Sequence, residues 1–201
     1  MDFLRSQPDN AFDLAIVDPP YGLKPQSSCP GTYMKERIFA KSNISTWDVS
    51  PEPIYFTELF RVSKNQIIWG GNYFSLPPTR CFLIWRKLSI SEKFTMAMAE
   101  YAWTSFDANA KVFDCAPQGS KKDPRIHPCQ KPIALYKWLL ERYAKEGDKI
   151  LDTHLGSGSS AIAAYDLGFE FTGIEIDETY YDNAVNRLHR HIENIRPTLA
   201  L

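Results

Sequence analysis

No run in this chain approaches 18 consecutive apolar residues, so hydropathy gives no candidate membrane span. The opening "MDFLRSQPDN" lacks the basic, apolar and small-residue order of a secretory signal, and it lacks the Arg-rich pattern of a transit peptide. There are only four cysteines, and Cys29, Cys81, Cys115 and Cys129 form no C-x-x-C pair. They read as free thiols in a reducing compartment, so a cytoplasmic location is expected. His127 and His154 stand far apart in sequence, and no metal site is expected from them. The net charge of −1 carries no global signature of nucleic-acid binding, which would have to come from a local patch. Internal repeats and low-complexity tracts are lacking as well.

What remains is an ordinary globular composition, 44% hydrophobic over 201 residues, long enough for one domain with a sizeable core. "FDLAIVD" (12–18) reads as a buried parallel strand, because Leu14 to Val17 are apolar without alternation. The polar stretch 22–47 is long for a connection and reads as a mobile or target-recognition loop. Ser50 is an expected N-cap with Pro51 at the first position of a helix running to about Arg61. Strands are expected at 65–71, 80–87, 99–106 and 109–116. After the loop 117–132 comes a helix with Leu135, Trp138, Leu139 and Tyr143 on one face, ended by Gly147. A strand then enters a glycine loop, and an Ala-rich helix (159–167) stops at a left-handed cap on Gly168. "FEFTGIEID" (169–177) is the next strand, and the last helix (178–194) is expected to pack Tyr181, Val185, Leu188 and Ile192 inward. Such alternation predicts an α/β fold with a mostly parallel central sheet, right-handed crossovers and helices on both faces.

The glycine loop runs Asp152-Thr153-His154-Leu155-Gly156-Ser157-Gly158-Ser159-Ser160. Glycines let backbone approach a ligand, and the helix N-terminus that follows favours an anionic group. Gly156-x-Gly158-x-x-Ala161, with Glu175 at the next strand end, also meets the loose dinucleotide pattern. A tight turn with no ligand is the plain alternative. Two details favour S-adenosylmethionine over a nicotinamide dinucleotide. Asp152 ends the strand where it would meet a cationic amine, and the first glycine follows four residues later, leaving a wider loop. Glu175 is then the ribose candidate, and Asp177 is either a second ribose ligand or the N-cap of the last helix.

"AIVDPPYG" (15–22) ends the first strand with a carboxylate, two prolines and a ring. Methylating an exocyclic amine is hard because its lone pair is delocalised into the base. Acceptors aimed at both amino hydrogens would free that lone pair. Asp18 supplies one acceptor and the Pro19 carbonyl the other, with Pro19 stiffened by its own ring and by Pro20. Tyr21 offers a face for a flipped base. A rigid strand exit without chemistry is the bland reading of the same residues.

"DPPYG" (18–22), "HPCQKP" (127–132), "LDTHLGSGSSAIAA" (151–164) and "GIEID" (173–177) together resemble the permuted β class of DNA amino-methyltransferases, in which the catalytic motif precedes the cofactor motif. "IIWGGNYF" (67–74) and "WRKLSISEKFTMAMAEYAWTSF" (85–106) are similar to segments between those halves. The resemblance implies a Rossmann-like S-adenosylmethionine-dependent methyltransferase fold acting on DNA, with Asp18, Pro19, Pro20 and Tyr21 catalytic. It implies a cofactor site from Asp152, His154, Leu155, Gly156, Ser157, Gly158, Ser159 and Glu175, closed from the other side by Gln130, Lys131 and Pro132. Asp rather than Ser at the first position of the tetrad favours adenine N6 over cytosine N4.

Three departures qualify this. The family often has Asp-Pro-Phe-x-Gly-Ser-Gly-Thr where this chain has Thr153, His154 and Ser160, and His154 either replaces the aromatic over the cofactor or is chemically idle. A strand normally precedes the helix represented by "MDFLRSQPDN", so a first strand is expected to be missing, with Met1 an internal start or the tail "RPTLAL" filling the gap. No large separate target-recognition domain fits, so a single catalytic domain over 1–201 is expected, and sequence reading falls to 22–47, to segments near 86–98, or to a second copy in a homodimer. Lys24, Lys35, Arg37 and Lys41 in one loop, and Lys121, Lys122 and Arg125 in the other, are candidate phosphate contacts, although such clusters are often solvated faces. The expected activity is methyl transfer to adenine N6 in DNA, with no metal because a sulfonium is already a good leaving group. Cytosine N4 or RNA amine methylation, and a truncated DNA-binding remnant or subunit, are the alternatives. Pairing with a restriction enzyme is left open.

Overall fold

The computed structural model describes residues 1–23, 48–93, 97–117, 124–127 and 129–195. A seven-stranded sheet has the order β5-β3-β4-β2-β1-β6-β7. Its strands are β1 (Phe12–Val17), β2 (Ser63–Trp69), β3 (Phe82–Arg86), β4 (Ala99–Thr104), β5 (Lys111–Asp114), β6 (Lys149–Asp152) and β7 (Glu170–Gly173). The helices are α1 (Asp2–Ser6), α2 (Pro53–Val62), α3 (Ile133–Tyr143), α4 (Ser159–Leu167) and α5 (Glu178–Ile195). All neighbours are parallel except that β4 runs antiparallel to both β2 and β3.

β1 shows why an unbroken apolar run marks a central strand. Leu14 and Ile16 enter a core with Ile67, Trp69, Leu83 and the α3 residues Leu135 and Leu139. Ala15 and Val17 point the other way, into a core with Leu4 of α1 and Tyr55, Phe56 and Leu59 of α2. Helices therefore cover both faces, which is why Leu14 to Val17 are apolar without alternation.

Several boundaries differ from the sequence reading. α2 starts at Pro53 with Glu52 as N-cap, not at Pro51 after Ser50. β2 stops at Trp69, because Gly70 takes a left-handed conformation and leads into a short 3-10 turn, Gly71–Tyr73. α3 ends at Tyr143 with an extended Ala144, and Gly147 belongs to the turn before β6. β7 ends at Gly173, four residues short of Asp177. On α5 the buried residues are Ala184 and Arg187, while Tyr181 is 46% exposed and does not pack inward. α4 does close on a left-handed Gly168. Among the described residues β7 is an edge strand paired only with β6, and the tail 196–201 lies outside them.

β1 and β6 lie side by side, yet the chain leaves them toward β2 on one side and β7 on the other. The sheet thus has a topological switch point there, where α/β proteins place ligands beyond the carboxyl ends of their strands. Asp18 follows β1 at that point and Asp152 ends β6.

Candidate active site

Asp18 is gripped from two sides. The Tyr21 hydroxyl donates to its Oδ1 at 2.8 Å, and the Lys131 ammonium reaches its Oδ2 at 2.5 Å. Lys131 also lies 3.1 Å from Oε2 of Glu100, whose Oε1 is 2.5 Å from Lys87. The Lys131 side chain is only 3% exposed, and its ammonium sits over the Trp69 ring, as that of Lys87 sits over Trp85. Burial alone would strip the proton from Lys131, but Asp18 and Glu100 outweigh it and hold the ammonium. Burial likewise opposes a charge on Glu100, yet Lys131 and Lys87 hold its carboxyl at about 2. Asp18 is pushed up by burial and by the Glu100 charge, against the pull of Lys131.

Tyr21 stacks on Tyr73 at 4.9 Å and meets Phe74 edge-on at 6.2 Å, with Gly70 beneath the ring. The Tyr21 ring, expected to offer a face to a flipped base, has Tyr73 as a stacking partner, and its hydroxyl serves Asp18. Pro19 is buried, and both prolines line the cavity with Asp18 and Tyr21.

The glycine loop is tied down at almost every polar atom. Asp152 accepts from the His154 backbone at 3.0 Å and from Ser160 Oγ at 2.6 Å, and burial raises its carboxyl to about 7 against both bonds. Asp152, expected to meet a cationic amine, is buried inside the loop and is absent from the cavity lining. Gly158 and Ser159 are likewise behind the cavity wall. A Cβ on Gly158 would lie 3.1 Å from that of Ala184, so this glycine admits α5 rather than a ligand. Ser159 takes a bond at 2.9 Å from Arg187, which also reaches the Ser157 carbonyl at 2.7 Å. Pro132 is the N-cap of α3 and is also absent from the lining.

His154, Leu155, Gly156, Ser157, Glu175, Gln130 and Lys131 do line it. Glu175 accepts from the backbone of Gly156 at 2.8 Å and from Ile176 and Asp177 at 2.9 and 3.0 Å, which fixes its carboxylate at the mouth of the loop. Asp177 caps α5 through the Tyr180 backbone at 3.0 Å and also lines the cavity. Ile176 beside it is 96% exposed. Gln130 accepts from the Ile126 backbone at 2.9 Å and so braces the loop before α3. His154 Nδ1 pairs with the Thr153 hydroxyl at 3.0 Å, and burial lowers the ring to about 4, leaving it neutral. His127 meets Tyr180 edge-on, and burial followed by the Lys131 and Arg125 charges brings it to about 4 as well. Arg125 lines the cavity, its Nε donating to the His127 carbonyl at 3.1 Å. Lys24, Lys35, Arg37, Lys41, Lys121 and Lys122 lie outside the described residues.

The lining residues enclose a cavity of about 350 Å3, in the range of small-molecule sites. The sequence reading missed Lys87, Glu100 and Arg187 as site residues. The first two lie inside the quoted segment 85–106, and Arg187 stands three residues after Ala184 on the inward face of α5.

The sheet, its switch-point cavity and the glycine loop define a Rossmann-like methyltransferase fold, and solved structures agree. The M1.HpyAVI–SAM complex superposes with a TM-score of 0.55 at 20% identity, covering 92% of both chains. The PvuII DNA methyltransferase, described as cytosine-N4-specific, gives 0.60 at 11% identity, covering 94% of this chain and 86% of that one. Residues 68–186 match the N6_N4_Mtase family, described as DNA methylase, and the chain belongs to that family. Among its relatives, the type II methyltransferase M2.MboI of Moraxella bovis is 26% identical over 161 residues, or 79% of this chain. The match spans about half, 54%, of that longer protein.

Proposed function

We propose that this chain methylates the exocyclic amine of a base in DNA, adenine N6 in particular, with S-adenosylmethionine as donor. The observation that carries the reading is the placement of the Asp18 carboxylate and the glycine loop on one cavity. The residues present suit the donor. Glu175 is an acceptor fixed by three backbone N–H groups, suited to ribose hydroxyls, and the exposed Ile176 offers an apolar surface to an adenine ring. His154, neutral, presents an aromatic ring. Bound there, S-adenosylmethionine would supply an electrophilic methyl on a sulfonium leaving group.

The chain's own part is to hold and orient the amine. Asp18 accepts one amino hydrogen, and the stiffened Pro19 backbone accepts the other. Fixing the reacting groups in one geometry is worth several kcal/mol of barrier. Asp18 precedes the glycine loop in the chain, which supports the permuted class. Asp at the first tetrad position supports adenine. Cytosine N4 is the second reading, favoured by the likeness to the cytosine-N4-specific PvuII enzyme.

Asp18→Ala decides the central claim. Methyl incorporation into DNA should fall by at least about a thousandfold, while S-adenosylmethionine binding by calorimetry stays within about threefold. Retained turnover would refute the role of Asp18, and digestion of the product to nucleosides separates N6-methyladenine from N4-methylcytosine.

A further inference from the structure

Along the cavity wall runs a chain of alternating charge: Lys87, Glu100, Lys131 and Asp18, with contacts of 2.5, 3.1 and 2.5 Å. Its members come from four places: after β3, in β4, before α3 and after β1. Taking four charges out of water is costly, and well-packed apolar groups would often be as stable, so stability alone does not explain the arrangement. A difficulty of the proposed reaction does. Asp18 must turn an oxygen to the substrate amine, but both its oxygens are already engaged, by Tyr21 and by Lys131. Releasing Oδ2 from a lone buried lysine would strand that ammonium. Glu100 is in place to keep it.

We infer that Glu100, itself held by Lys87, is a positioning residue that shares the Lys131 ammonium, so that Asp18 can offer an oxygen to the amine without leaving Lys131 unpaired. The inference rests on the proposed role of Asp18. When the amine engages Asp18, Lys131 shifts its weight to Glu100, and Lys87 keeps Glu100 from following.

Three variants test this: Glu100→Gln, Lys87→Met and the double substitution. Wild type carries two positive and two negative charges, each single variant leaves a net charge, and the double variant is neutral again. Glu100→Gln should lower kcat on the order of tenfold to a hundredfold, with KM for DNA and S-adenosylmethionine affinity within about threefold. In the double variant the melting temperature should recover toward wild type while kcat stays low. Recovery of kcat together with stability would show that the chain merely balances charge, and kcat within threefold of wild type in Glu100→Gln would overturn the inference directly.

A readout independent of turnover is the carboxyl-carbon NMR titration of Asp18. Among the described residues, the titratable groups near it are Lys131, Glu100, Tyr21, Tyr136, Cys129 and Asp152. Removing the Glu100 charge should move that titration to lower pH, and an unmoved titration counts against the shared ammonium. If wild type fails to methylate DNA at all, the proposed function falls, while the titration still reports on the charge chain.

Discussion

Adding one methyl group at Gly70 should disable the site without substituting any of Asp18, Pro19, Pro20 or Tyr21. Gly70 has φ +68, and a Cβ there would sit 2.1 Å from Cε1 of Tyr21 and 2.5 Å from Cδ1. The ring cannot slide away freely, because Tyr73 stacks on it and Phe74 meets it edge-on. A non-glycine residue in the left-handed region costs about 1–2 kcal/mol. Displacing Tyr21 forfeits a hydrogen bond to a charged group, about 1.5–3 kcal/mol, and a ring stack, about 0.5–1.5 kcal/mol. The sum is roughly 3–6 kcal/mol, or some ~10–20 °C of melting temperature for a chain of this size. Gly147→Ala supplies the control: φ is +85, and nothing lies within 4 Å of the added atom. It should cost only the backbone part, a few degrees at about 1–2 kcal/mol. Both variants are compared by thermal melting and by methyl incorporation at a temperature where each is folded. With Asp18 losing the Tyr21 hydroxyl, turnover of Gly70→Ala should drop on the order of a hundredfold, and that of Gly147→Ala should not change. A folded Gly70→Ala protein with turnover within threefold of wild type would refute the idea that the Tyr21–Asp18 bond sets the geometry.

Arg187→Met removes the donor to the Ser157 carbonyl and Ser159 hydroxyl, so stability should fall by roughly 2–4 kcal/mol and KM for S-adenosylmethionine should rise severalfold, read by melting and by kinetics. Unchanged cofactor affinity would mean that the loop keeps its shape without Arg187. Asp152 has its carboxyl raised to about 7 by burial, so between about 4 and 7 the folded chain holds a proton that the unfolded chain releases, and the group's contribution to stability is lost as pH rises through 7. Asp152→Asn, which cannot ionise, should therefore melt higher than wild type at pH 8, with the gap narrowing toward pH 5; a gap of constant size would show that Asp152 carries no such proton.

Features that depend on neighbours in the chain were legible beforehand. β1 announced itself by four apolar residues in a row, the left-handed Gly168 by its place after an Ala-rich run, and the sheet's two-sided helix cover by strand–helix alternation. What depends on partners far along the chain was not. Lys131 and Asp18 are 113 residues apart, and nothing in "HPCQKP" says that its lysine turns to a carboxylate rather than to a ligand. The same limit hid the direction of Asp152. A strand-end acid before glycines reads as ligand-facing, but Ser160, across the loop at the start of α4, donates to it, a contact visible only once the loop is folded. Helix starts failed for a different reason: Pro51 and Pro53 are equally good first residues, and the choice between them falls to the packing of Tyr55 and Phe56.

The loop residues that depart most from the family pattern also depart together. Thr153 and His154 stand where Pro and Phe are common, and a polar pair in a buried loop needs partners. It finds them in line: the Tyr55 hydroxyl meets Thr153 Oγ1 at 2.6 Å, Thr153 meets His154 Nδ1 at 3.0 Å, and Tyr55 also packs edge-on against the imidazole at 5.4 Å. Tyr55 comes from α2 on the far side of β1, so this polar line crosses from one helix layer to the strand end that bears the loop. A lone Thr or a lone His in that place would leave a donor or acceptor unmet, whereas the three together satisfy one another and keep an aromatic ring on the cavity wall. Of the three departures, Thr153 and His154 thus form one hydrogen-bonded unit with Tyr55. The loop is anchored here by hydrogen bonds, and a neutral ring lines the cavity.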